Sequence, residues 1–167
     1  MVFTMYTICV IALASLVDPS YAEHQEFEVQ FQIRDTEKRV GVSDLQPNQV
    51  LSAKEDVGNT KWILVKVSET DEGREVYIIQ PKDNPKLIWD TKTKSCDDET
   101  EVVLVEKPES TEKCQHFYYA GLGKIVIYNE QCGKANCLYV DETSMEIKFS
   151  KDCKDHKERE FDLNWTY

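Results

Sequence analysis

The chain predicts an all-β domain, and three observations carry that expectation. Short runs rich in β-branched and aromatic residues recur along its length, turn residues separate them, and no stretch of helical length shows a 3.6-residue apolar period. In order, the runs fall at residues 27–33, 62–67, 76–79, 102–105, 117–119, 125–128 and 147–149. In the first, Phe27, Val29, Phe31 and Ile33 alternate with Glu28, Gln30 and Gln32, the pattern of a strand with one face on a core and one on water. Turns are marked at Pro47-Asn48, Gly58-Asn59, Glu72-Gly73, Asp83-Asn84-Pro85, Gly121-Leu122-Gly123 and Cys132-Gly133.

Length and charge narrow the class further. The 167 residues suit a single domain, and 41% hydrophobic with 31% charged content supports both a core and a solvated surface. The net charge of -11 disfavours nucleic-acid and anionic-membrane partners, which attract Lys and Arg. Residues 1–22 resemble a signal peptide: an apolar run at 8–14 with Leu16 and Val17, too short to span a bilayer, precedes Ser20 and Ala22 in small-x-small spacing. The expectation is secretion, cleavage after Ala22 and an extracellular domain over 23–167. Five cysteines remain in that segment, an odd number, which predicts two bridges and one spare thiol. Zinc is the rival for Cys132 and Cys137, but His24, His116 and His156 have no ligand spacing to any Cys pair, and no metal or other cofactor is expected.

Internal repetition then selects among all-β architectures. Residues 123–128, 137–141, 145–149 and Phe161 form an ordered set that 73–79, 86–90, 101–104 and Phe117 repeat, and that 31–33, 39–42, 49–51 and Trp62 repeat more faintly. Trp62, Phe117 and Phe161 close the three units at separations of 55 and 44 residues. Three units of four strands each predict a β-trefoil with three pseudo-repeats, in which each unit's apolar face stays open until three pack about an axis. The three closing aromatics are expected as core plugs.

The segment Gln115-His116-Phe117 followed by Gly121-Leu122-Gly123 resembles the Gln-x-Trp closing motif of ricin-type lectin repeats, and Cys137-Leu138-Tyr139-Val140-Asp141 resembles their opening Cys-Leu segment. The resemblance extends over about 26–165. It implies a bridge between Cys137 and Cys153; Cys96 and Cys114 would then form a private bridge and leave Cys132 unpaired, or Cys132 would instead pair with Cys137. It also implies a glycan or glycoprotein partner, with a site in the third unit at Tyr139, Asp141 and Lys151, or in the second at Trp89, Asp90 and Gln115. At the family's Asp position this chain is read as Tyr139, Ile88 and Gly41, with Asp141 and Asp90 two residues late, so the sites are expected to be degenerate.

Two alternatives accompany that reading: a secreted protein-interaction module on the same fold, and a small lipocalin-like barrel carrying an apolar ligand. Catalysis is not expected, because no Ser/His/Asp or Cys/His arrangement has local support. The acidic run 96–101 reads as a solvated turn rather than a calcium loop, since it lacks the alternate spacing and the glycine. Asn164-Trp165-Thr166 is a glycosylation sequon.

Overall fold

Alternation of apolar and polar residues sets the strands of this chain, and pairing among them builds a ring. The computed structural model describes residues 26–97, 99–121, 125–133, 136–151 and 159–165. Six longer or inner strands make the ring: β1 (Glu26–Ile33), β4 (Trp62–Glu69), β5 (Glu75–Pro81), β8 (Phe117–Ala120), β9 (Val126–Asn129) and β12 (Phe161–Trp165). Antiparallel pairing runs β12–β1–β4–β5–β8–β9. An isolated bridge between Ile125 and Phe161 closes the circle, with hydrogen bonds of 3.0 Å and 2.9 Å in the two directions. The bridge leaves little open edge among the described ring strands for another chain to pair with.

Three hairpins cap one end: β2 (Arg39–Gly41) with β3 (Ser52–Lys54), β6 (Leu87–Thr91) with β7 (Val102–Glu106), and β10 (Cys137–Val140) with β11 (Ile147–Ser150). Each hairpin touches both others through one bridge, Val50 with Val103, Glu101 with Lys148, and Glu146 with Ser52. These three bridges are images of one another under a three-fold rotation. They make residues 50, 101 and 146 equivalent, and likewise 52, 103 and 148. Pairing across each hairpin then extends the equivalence to Gly41, Asp90 and Tyr139, and to Val40, Trp89 and Leu138.

The core lies inside the ring and against the hairpins' inner faces. Trp62, Phe117 and Phe161 each open the strand that follows a hairpin, and all three are at most 1% exposed. Trp89 sits among Trp62, Phe31 and Phe117, with ring centroids 5.0, 5.3 and 5.9 Å away. The three-fold is kept in backbone and broken in volume. Where the second unit has Trp89 facing Leu104 and the third Leu138 facing Phe149, the first has Val40 facing Ala53. That smaller pair makes room for Trp62, the largest of the closing aromatics, whose Nε1 donates to the Val40 carbonyl at 3.0 Å.

Two expectations are corrected here. A lipocalin-like carrier needs an open barrel lumen, whereas this ring is filled by Trp62, Trp89, Phe31 and Phe117. The disulfide Cys96–Cys132 is present, with Cα atoms 5.4 Å apart, so the Cys96–Cys114 pairing, the unpaired Cys132 and the alternative Cys132–Cys137 bridge are all overturned. Cys114 is instead a free, buried thiol. The reason is the short 3-10 turn Lys113–Gln115, which turns Cys114 inward, while Cys96 lies beside Asn136, whose Nδ2 donates to the Cys96 carbonyl at 2.9 Å. Cys137 is also disulfide-bonded, and Cys153, its expected partner, lies outside the described residues. So do the expected signal segment 1–22, His24 and His156.

Candidate functional site

The three-fold equivalence decides where the lectin-like positions lie. Asp90, not Ile88, stands level with Tyr139 and Gly41, because Asp90 pairs with Val103 as Tyr139 pairs with Lys148 and Gly41 with Ser52. The expected two-residue offset of Asp90 is therefore wrong by one strand repeat. Strand alternation held the missing signal: Leu87 and Trp89 face the core, which turns Asp90 outward, toward the 3-10 turn.

Asp90 and Gln115 meet there. Gln115 Nε2 donates to Asp90 Oδ2 at 2.9 Å, and Asp90 Oδ1 accepts the Thr91 N–H at 2.6 Å. Gln115 is itself held by its Oε1, which accepts the Glu112 N–H at 3.0 Å. Both side chains are at most 3% exposed, and both line a cavity of about 160 Å³ with Lys94, Val105, Pro108 and Glu112. Asp90 also takes a side-chain hydrogen bond from Cys114, and a polyol entering the cavity would meet the carboxylate at its wall. Cys114 lies behind it, its thiol pushed up to about 11 by burial and then by Asp90 and Glu112, which keeps it neutral.

The remaining expected residues are placed differently. Trp89 is fully buried on the opposite face of β6 and offers no ring to a ligand. Tyr139 is 4% exposed and likewise presents no stacking face. Asp141 is engaged as a turn lock: its Oδ1 accepts the Thr143 and Ser144 N–H groups at 2.8 and 2.9 Å, and its Oδ2 accepts Lys148 Nζ at 2.8 Å. Those donors, Lys148 first, hold its carboxyl well below the usual carboxylate range. Lys151 is exposed just past the end of β11. In the first unit, a Cβ added at Gly41 would lie 2.8 Å from both the Asn59 carbonyl oxygen and Val57 Cγ1, so the chain itself fills that position.

His116 is not a free surface group. Its Nδ1 and Glu130 Oε2 lie 2.7 Å apart, its Nε2 and Thr111 Oγ1 2.9 Å, and it ties the 3-10 turn to the end of β9. A second depression of about 600 Å³ lies beside Arg74, Lys113 and Tyr118, where its charges pair with Glu72 and Glu130 at 3.5 and 3.3 Å. Among the described residues no group of three or more His, Cys, Asp or Glu is placed to hold a metal ion.

A closed six-stranded barrel capped by three mutually bridged hairpins defines this chain as a β-trefoil. Solved structures agree: the designed 3-fold symmetric protein ThreeFoil is 16% identical with a TM-score of 0.67, over 82% of this chain and 97% of that one. The exo-β-1,3-galactanase 1,3Gal43A from Clostridium thermocellum is 16% identical with a TM-score of 0.66, over 84% of this chain. This chain spans only 30% of that enzyme's length. A salivary protein from Culex quinquefasciatus, of the Cysteine and Tryptophan-Rich family, is 13% identical with a TM-score of 0.61, over 86% of this chain and 96% of that one. Neither a protein-family model nor a curated relative matches the sequence.

Proposed function

We propose that this protein is a secreted, ricin-type-like β-trefoil that binds glycans through one site, in its second unit. The observation that carries the reading is the Asp90–Gln115 hydrogen bond at 2.9 Å in the wall of a cavity of about 160 Å³, at the two positions where the lectin resemblance calls for an Asp and a Gln. A carbohydrate-active enzyme among the structural neighbours adds support at the level of fold. The first unit's position is filled by its own chain and the third carries a buried Tyr139, so binding is monovalent. Without an aromatic platform, a single sugar binds at about millimolar Kd, or roughly -4 kcal/mol.

Calorimetry on the strongest binder from a glycan array tests the reading. The expected result is one site per chain, lost in Asp90→Asn with the fold intact by circular dichroism. An unchanged affinity in that variant would place the glycan elsewhere, and an array without any binder would favour the protein-interaction module.

A further inference from the structure

We infer that the second-unit cavity is the closed end of a longer groove, and that its ligand is a neutral oligosaccharide of at least two residues rather than a free monosaccharide; this rests on the glycan reading above. The cavity of about 160 Å³ has the volume of about five waters at ~30 Å³ each, room for little more than one sugar ring. It does not end there. Glu106 and Pro108 line it and also line a neighbouring cleft of about 670 Å³.

The direction of exit follows from what closes the other side. Lys94 and Glu112 stand 3.7 Å apart across it, and Cys96, two residues after Lys94, is fastened by its bridge to Cys132. A chain leaving the cavity therefore passes over Glu106 and Pro108 into the cleft, between Pro47 and Pro85. Exposed prolines give flat apolar faces for the C–H sides of sugar rings and lose no rotamer freedom on contact. Gln46 and Asn84 supply neutral hydrogen-bonding groups beside them. The cleft's charges balance, Lys86 and Lys107 against Glu106 and Glu109, so its walls select no charged sugar. Contacts along such a preformed groove add affinity that the end pocket alone cannot supply.

The test uses a printed array of neutral glycans of one to five residues, then calorimetry on the strongest binder and on its terminal monosaccharide. The oligosaccharide is expected to bind at least tenfold more tightly. Gln46→Trp, at an exposed position in the cleft, should remove that advantage and leave the monosaccharide affinity unchanged. Equal affinities for the two ligands, or an unaffected Gln46→Trp variant, would overturn the groove while leaving the Asp90–Gln115 site standing. Silence across the whole array would overturn the groove and the glycan reading together.

Discussion

Thr91 and Asp141 show how single residues record the asymmetry of the three units. Thr91 is 2% exposed, and its Oγ1 has no hydrogen-bond partner among the described residues; the equivalent third-unit residue is Val140. A buried hydroxyl without a partner costs about 1–3 kcal/mol, so Thr91→Val should stabilise the protein by about 1 kcal/mol in urea denaturation. Asp141 has the opposite character, because its three donors favour the ionised form. Its folded pKa is depressed, so its stabilisation is present above the unfolded value of roughly 3.9 and is lost as pH falls below it. The gap in urea midpoint between wild type and Asp141→Asn should be present at pH 7 and shrink toward pH 2.5. Closing aromatics carry larger stakes: Trp62→Ala, Phe117→Ala or Phe161→Ala should each cost about 3–5 kcal/mol, read by the same denaturation. Those rings were legible in the sequence because large apolar residues recur at similar places in each unit. Asp90 was legible as a candidate but misplaced, since the units differ in length and the register of a hairpin depends on pairing that no single strand reveals.

At the scale of elements, the hairpins and the loops that join them divide the work. The strands were readable from alternation, as in β1, whereas β2 and β3 span three residues each and carry too few side chains to display a period. Disulfide pairing was not readable, because it depends on which loops meet across the cap. The Cys96–Cys132 bridge closes a sequence separation of 36 residues, which the chain-entropy account values at about 4 kcal/mol. Peptide mapping without reduction should find Cys96 joined to Cys132, and Cys114 should resist alkylation at neutral pH until the protein is unfolded, as its burial and raised pKa require. A Cys96–Cys114 peptide would contradict both statements. The same bridge fastens the loop that carries Lys94, so the wall of the candidate site is held by a covalent tie rather than by the hairpin alone.

The whole molecule combines a symmetric frame with side chains that differ from unit to unit. Three bridges related by rotation hold the cap, and the core volumes and the Asp90–Gln115 pair then distinguish the second unit from its neighbours. On the glycan reading proposed above, a chain with one such site binds its ligand once, where a trefoil with three sites would bind three times. The most direct measurement is an NMR titration of the ¹⁵N-labelled protein with the strongest glycan from the array. Shift changes centred on Asp90, Lys94, Glu112 and the Gln115 side-chain amide, saturating as one site, are the expected result. Changes centred on Asp141 and Lys151 in the third unit, with the second unit silent, would contradict it.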